Sequence, residues 1–299
     1  MHPADRLAER IRHCRCPVAV GLDPVYEKLP AALHTDDSKA AHVAAIERFS
    51  HGVIDAVANI AACLKVQAAC FERYGSAGYA AMERVVGAAT SRGMVVILDA
   101  KRGDIGISAE HYAVGCRAMN DSHEPSWITI NGYLGEDAIR PFIGHDLGAF
   151  VLVRTSNPGG DRLQRVVTDS GETVAERMAR LVAEIGADSV GACGYSSLGA
   201  VVGATRPEEM PGLRQRMPQQ VFLLPGLGAQ GAEAADVRVC FDSEGLGAVA
   251  TASRSILYPG TGETADWREP IAAAAEAFAA EVGVLSGWRS TAAAVSRPQ

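Results

Sequence analysis

The chain has 299 residues, of which 48% are hydrophobic and 21% are charged, and its formal net charge is -7. This length and composition are typical of a globular protein with one large α/β barrel or two smaller domains. The acidic balance argues against a general nucleic-acid binder, which is normally basic, but it allows a local positive site for an anionic small molecule.

Short apolar runs alternate with segments of helical periodicity along the chain. We predict strands, in chain order, at 18–22, 61–66, 94–98, 127–130, 150–153, 200–202, 221–224 and 247–251. Helices are predicted between them at 38–57, 77–91, 105–119, 172–185 and 233–240, followed by an Ala-rich helix at 270–284. The segment 188–193 is an alternative for the sixth strand. The segments 159–160 and 206–218 contain Gly or Pro and are predicted to be loops.

Eight strands that alternate with helices over roughly 260 residues indicate an α/β fold, the single-domain (β/α)8 or TIM barrel. We expect one domain over 1–299, with its core at about 15–260 and a loosely ordered tail at 289–299. In such a barrel the chemistry lies at the carboxyl ends of the strands.

Several classes of protein are disfavoured by local composition. There is no run of 18 uncharged apolar residues, so we expect no transmembrane helix, and residues 1–6 lack the apolar core of a signal peptide. Cys14 and Cys16 are the only close pair among seven scattered cysteines, which predicts reduced thiols in a cytoplasmic protein. Neither the cysteines nor the eight histidines have a metal-ligand spacing.

The most informative run is Asp99-Ala100-Lys101-Arg102-Gly103-Asp104, which directly follows the apolar segment 94–98. Side chains alternate along a strand, so Asp99 and Lys101 point the same way, and Asp104 follows in the loop. Charges at the end of an apolar strand are costly to desolvate unless they pair or serve a site. The run therefore predicts a functional charge cluster.

Polar residues also end the other predicted strands. An aspartate at a strand end is often only a cap or a turn residue. Lys65 lies inside an apolar strand, where an unpaired ammonium group is expensive, so it is predicted to be paired or functional. The set comprises Asp23, Lys65, Gln67, Asn131, Thr155, Ser156, Asn157, Ser253, Arg254 and Ser255.

A glycine motif, Gly226-x-Gly228-x-x-Gly231, matches the dinucleotide-binding fingerprint. The true fingerprint expects an acid at the end of the next strand, whereas that strand here leads into Arg254. Glycine-rich turns and helix N-termini bind any phosphate, and an arginine can add a bidentate clamp. We therefore predict a site for one phosphate group held by Gln230 and Arg254; the alternative is a tight turn without a ligand.

The motifs, taken together, resemble the orotidine 5′-phosphate decarboxylase family, over roughly residues 15–260 and most closely in its longer bacterial branch, type 2. Two positions depart from the family pattern, Ser108 in place of threonine and Gly132 in place of proline. Seven ordered segments carry the resemblance, namely Gly21-Leu22-Asp23-Pro24, Lys65-Val66-Gln67 with 71–75, Asp99-x-Lys101-x-x-Asp104-Ile105-Gly106, Thr155-Ser156-Asn157-Pro158-Gly159, 199–205, 225–231 and Ser253-Arg254-Ser255-Ile256.

The resemblance implies decarboxylation of orotidine 5′-monophosphate to uridine 5′-monophosphate, the last step of pyrimidine synthesis, with no metal and no organic cofactor. It implies a homodimer in which Asp104 reaches the partner's site, and no nucleic-acid or membrane partner. The catalytic set it implies is Lys101, Asp99, Asp104 and Lys65. The substrate-binding set it implies is Asp23, Ile105, Ser108, Ser156, Gln230 and Arg254.

Three alternatives stay open at this point. A Mg²⁺-dependent sugar-phosphate synthase or decarboxylase of the same barrel superfamily also uses an Asp-x-Lys-x-x-Asp motif. An NADP-binding oxidoreductase built on the glycine motif would leave Asp99, Lys101 and Asp104 unexplained. A non-catalytic nucleotide-binding protein of the same fold is disfavoured by the intact charge set.

Overall fold

Eight parallel strands form a closed barrel in the computed structural model, which describes residues 1–119, 127–144, 146–227, 237–260 and 266–289. Each strand pairs with the next along the chain, and the last pairs with the first. The predicted TIM barrel, a single α/β domain, is confirmed. The strands are β1 Val18–Leu22, β2 Cys63–Gln67, β3 Val95–Arg102, β4 Trp127–Ile130, β5 Gly148–Arg154, β6 Leu198–Val202, β7 Phe222–Pro225 and β8 Ala248–Ala252.

Helices connect the strands and cover the barrel. Ser38 caps the second of them by accepting a hydrogen bond from the backbone N–H of Ala41, and Thr173 with Glu176 forms a capping box on the seventh. The helices are α1 Pro3–Cys14, α2 Lys39–Val57, α3 Ala68–Glu72, α4 Ser76–Ser91, α5 Gly106–Arg117, α6 Asp161–Gln164, α7 Val174–Gly186, α8 Met210–Arg216, α9 Arg254–Leu257 and α10 Arg268–Ser286.

Two sequence-based choices have a clear outcome. β6 contains the predicted strand 200–202, whereas the alternative segment 188–193 contributes only an isolated bridge between Val190 and Ser196. The prediction that 206–218 is a loop was wrong, because α8 lies there. Its Met210 and Leu213 are buried, and its proline lies in the first turn, where a missing N–H costs nothing. The predicted helix 233–240 and the predicted tail lie largely outside the described residues.

Helix α1, which the sequence analysis did not predict, covers the amino end of the barrel. Its Leu7 and Ile11 are buried against the layer that the strands project inward, which includes Val95 and Trp127. Asp5 accepts hydrogen bonds from the backbone N–H groups of residues 192 and 193, at 3.2 and 2.7 Å. The amino end is therefore closed by packing, which leaves the carboxyl end for a site.

The C-terminal helix α10 packs on α2 and extends beyond the predicted segment 270–284 at both ends. Trp267 stacks on Phe49 with ring centroids 5.1 Å apart, and a Cβ at Gly52 would overlap the Trp267 ring. Glycine at this position is thus required by close approach. No helix in the described ranges combines the length and the apolar character that a membrane crossing requires.

Leu7→Ala tests whether α1 is integral to the barrel. Removing this buried side chain should lower the free energy of unfolding by about 2–5 kcal/mol, because the cavity it leaves is lined by the rigid barrel interior. Glu9→Ala, on the exposed face of the same helix, is the matched control. Equal unfolding midpoints for the two variants in urea would contradict the packing of α1.

Candidate active site

A chain of alternating charges lies at the carboxyl end of the barrel. Lys65 Nζ contacts Asp99 Oδ2 at 2.9 Å and Asp23 Oδ1 at 3.6 Å. Lys101 Nζ contacts the other oxygen of Asp99, Oδ1, at 2.5 Å. The order Asp23–Lys65–Asp99–Lys101 thus joins β2, β3 and the residue after β1, as the strand-end positions predicted.

The strand register explains why these groups meet. Lys65 is opposite Gly21 on β1 and Ile97 on β3, and Gln67 is opposite Asp99. Because inward side chains alternate along each strand, Lys65, Asp99 and Lys101 project to the same side of the sheet. Lys65 is only 6% exposed, so its positive charge is stabilised mainly by the two carboxylates and very little by water.

Thr129 on β4 is a site residue that sequence reasoning missed. Its hydroxyl donates to Asp99 Oδ1 at 2.9 Å and accepts from the backbone N–H of Lys101 at 3.0 Å. A buried hydroxyl in a four-residue apolar strand, two positions before Asn131, was the available signal. Thr129 therefore fixes both the acid and the backbone of the neighbouring lysine.

Lys101 has an unusual backbone conformation. Its φ is +47°, in the left-handed region that non-glycine residues rarely adopt. The pairing of β3 with β4 shifts register between Leu98 and Arg102, where this residue lies. Such strain persists only where surrounding contacts enforce it, and it is concentrated at functional sites. The left-handed conformation of Lys101 directs its side chain, which is about half exposed, into the mouth of the barrel.

The two buried groups remain charged. Burial alone would raise the pKa of Asp99, but Lys65 and Lys101 outweigh it and lower the pKa to about 2. Burial alone would lower the pKa of Lys65, but the carboxylates of Asp99 and Asp23 outweigh it and raise the pKa. The site therefore presents fixed charges of both signs at neutral pH in a place that excludes most water.

Asp104 is not brought to Lys101 within one chain. Its Oδ1 accepts a hydrogen bond from the backbone N–H of Ile105 at 2.9 Å, and Lys101 forms its ion pair with Asp99. Ile105 and Ser108 are exposed at the start of α5. Asp104 and Ser108 line a cavity of about 470 Å³ between α4 and α5, together with Tyr79 and Tyr112.

The remaining predicted binding residues follow β5, β7 and β8. Ser156 is half-buried after β5, and Arg254 is exposed as the first residue of α9, directly beyond β8. Ser253 packs so closely on Gly21 that a Cβ there would overlap its hydroxyl. Gln230 lies outside the described residues. The site thus spans the barrel mouth from β1 round to β8.

Metal-ligating groups are not clustered here. Within the described ranges, no three His, Cys, Asp or Glu side chains are arranged to share a metal ion. Asp23 and Asp99 are separated by Lys65, whose ammonium group lies between the two carboxylates. The arrangement stabilises charge by ion pairing among side chains.

Acid titration tests the charge chain. Since the folded pKa of Asp99 is below its ordinary value of 3.8, its ionisation stabilises the fold above about pH 4, and this contribution is lost as the pH falls toward 2. The difference in free energy of unfolding between the native chain and Asp99→Asn should shrink by about 2 kcal/mol over that interval. Urea titrations at pH 5, 4, 3 and 2 measure it; a difference independent of pH would contradict the ion pairing.

Comparison with known proteins identifies the family. The model of the orotidine 5′-phosphate decarboxylase / HUMPS family matches residues 18–265. The chain is 42% identical over 250 residues to the orotidine 5′-phosphate decarboxylase of Rhodopirellula baltica, covering 80% of this chain and 82% of that protein. It is 40% identical over 260 residues to that of Deinococcus radiodurans, covering 85% and 89%.

A solved structure agrees. The Leishmania donovani OMP decarboxylase superposes with a TM-score of 0.75 at 30% identity, covering 96% of this chain and 99% of that one. Assignment to the longer bacterial branch stays a prediction. On its sequence and its closed barrel, the chain belongs to the orotidine 5′-phosphate decarboxylase / HUMPS family.

Proposed function

We propose that the chain decarboxylates orotidine 5′-monophosphate to uridine 5′-monophosphate and CO2, and that it needs neither a metal nor an organic cofactor. It is a carboxy-lyase of pyrimidine biosynthesis. The observation that carries the proposal is the chain Asp23–Lys65–Asp99–Lys101 at the mouth of the barrel, in a member of this family.

The chemical problem is a carbanion. Cleavage of the bond between C6 and the carboxylate leaves the electron pair on C6. No adjacent group can delocalise this electron pair. A preorganised cation lowers the energy of that developing charge. We assign this role to Lys101, and transfer of a proton from its Nζ to C6 completes the product. The chain has only four lysines among 28 basic residues, and two of them are in this site. Lysine can release a proton at neutral pH, whereas arginine cannot.

Asp99 is assigned to the space beside the leaving carboxylate. Its low pKa keeps it ionised, and Lys65 and Thr129 hold it in place. A fixed negative charge close to the substrate carboxylate favours departure of CO2, since repulsion is relieved when the neutral gas forms. Lys65 limits the cost of burying Asp99.

Asp23 and Lys65 are assigned to the ribose. Oδ1 of Asp23 is buried and faces Lys65 Nζ at 3.6 Å, whereas the side chain as a whole is about one third exposed, which leaves the other carboxylate oxygen as an acceptor for a sugar hydroxyl. Ser156 is assigned to the pyrimidine, and Gln230 and Arg254 are assigned to the phosphate. Binding of the distant phosphate orients the ring and raises the chemical rate as well as affinity.

A homodimer completes the site in this proposal. Asp104 does not reach Lys101 in its own chain, and Ile105, Ile107 and Val114 expose apolar side chains on and beside α5, Ile107 by 70%. An exposed apolar face of this kind fits a partner subunit. Asp104, with Ile105 and Ser108, then enters the partner's site and keeps the partner's lysine charged.

A cytoplasmic location fits the seven free cysteines.

Lys101→Ala tests the central cation. Without the ammonium group neither the developing charge nor the proton is provided, so kcat should fall on the order of 10⁴-fold or more. Binding of uridine 5′-monophosphate, which carries no carboxylate, should stay measurable by calorimetry. Lys39→Ala, an exposed position, is the control and should retain full activity. Substantial turnover by Lys101→Ala would contradict the assignment.

Mixing of two inactive variants tests the shared site. Lys101→Ala and Asp104→Asn homodimers should each be inactive. After protomer exchange, half of the dimers are mixed, and each holds one site with both native residues, so about a quarter of the native activity should return. If both residues acted within one chain, every site would carry a defect, and mixing would restore nothing.

A further inference from the structure

Arg154 at the end of β5 is a buried cation outside the charge chain. It is only 1% exposed, and each of its three guanidinium nitrogens donates a hydrogen bond to another side chain. Nη2 donates to Asp161 at 2.5 Å and Nε donates to Glu209 at 2.6 Å. Because these acids lie on the segments that follow β5 and β6, Arg154 ties two neighbouring loops of the barrel mouth together. Arg206 adds a 2.7 Å contact to Asp161.

Gln164 extends this network from Arg154 to the backbone of Thr155, the residue that follows Arg154. Its Oε1 accepts from Arg154 Nη1 at 3.1 Å and from the backbone N–H of Thr155 at 2.9 Å. Its Nε2 donates to the Thr155 hydroxyl at 2.7 Å, and that hydroxyl donates to Asn157 at 2.6 Å. One amide side chain therefore fixes Thr155 by both its backbone and its side chain.

The segment held in this way is 155–157, which we name the Ser156 loop. Arg154 O accepts from the backbone N–H of Gly203 at 2.7 Å, and a Cβ at Gly203 would lie 2.8 Å from the Ser156 nitrogen. The loop is thus in close contact with Gly203, directly after β6, on one side and hydrogen-bonded to Gln164 on the other. It has little freedom to move, because each displacement breaks a hydrogen bond or creates a clash.

None of these contacts is needed merely to end a strand. Two carboxylates hold the Arg154 guanidinium, while an amide and a glycine hold the three residues that follow it. Among these three, only Ser156 has a half-buried side chain that makes no hydrogen bond to the described residues. We propose that Arg154 and Gln164 are positioning residues that hold the Ser156 loop in the one conformation that recognises a pyrimidine ring. They thereby set the preference for a nucleotide over a sugar phosphate that lacks the base.

This inference rests on the proposed function, in which Ser156 hydrogen-bonds the pyrimidine. It predicts a selective effect, since the ribose and phosphate contacts lie on other strands. Gln164→Leu removes all three hydrogen bonds of the amide while keeping a similar volume. Arg162→Gln, an exposed change in the same helix, is the matched control.

Calorimetric titration with uridine 5′-monophosphate and with ribose 5-phosphate gives the test. Gln164→Leu should weaken the nucleotide about tenfold and change the sugar phosphate by no more than about twofold, with Arg162→Gln matching the native chain for both. A purely structural role would weaken both ligands alike, and that result, or an unchanged nucleotide affinity, would overturn the inference. If Gln164→Leu does not fold, Thr155→Val removes the hydroxyl that Gln164 holds and carries the same expectation.

The native chain is assayed for decarboxylation in parallel, so the two proposals fail in different ways. An active native chain whose Gln164→Leu variant keeps its nucleotide affinity overturns the positioning role alone. A native chain that neither converts orotidine 5′-monophosphate nor binds the product overturns the proposed function, and this inference with it.

Discussion

The buried ion pair between Lys65 and Asp99 is the interaction on which the site depends. Each charge alone would be too costly to bury at these positions, and each keeps the other ionised. Asp23 and Lys101 then extend the pair outward at its two ends. The result is a set of fixed charges that requires no reorganisation when a substrate loses its carboxylate.

The barrel makes this arrangement possible by separating stability from chemistry. At the amino end, α1 and the inward apolar layer close the interior with close packing. At the carboxyl end, Lys101 and Asp23 stay partly exposed to solvent, so this end is open to a substrate. The Arg154 network holds the β5 and β6 sides of this mouth, as Thr129 holds the β3 side. Rigid supports of this kind suit a reaction that needs preorganised charges.

The sequence predicted the barrel well, because parallel strands buried on both faces are continuous apolar runs and their polar ends stand out. Asp99, Lys101 and Lys65 were found in this way. Thr129 was missed because one hydroxyl in a short strand resembles a packing residue, and α1 was missed because it precedes the repeating pattern. Arg154 was missed because Glu209 is 55 residues away and only the fold brings the two together, and Gln164 was missed because it meets Arg154 and Thr155 only when the loop after β5 folds back on the strand.

The most direct test of the central claim is the loss of orotidine 5′-monophosphate absorbance with purified protein in excess EDTA. The account predicts conversion to uridine 5′-monophosphate at the same rate with EDTA and with added Mg²⁺, since ion-paired side chains supply the stabilising charge. No conversion under either condition, with activity on a sugar phosphate that appears only when Mg²⁺ is added, would contradict it and would place the chain with a metal-dependent activity on the same barrel.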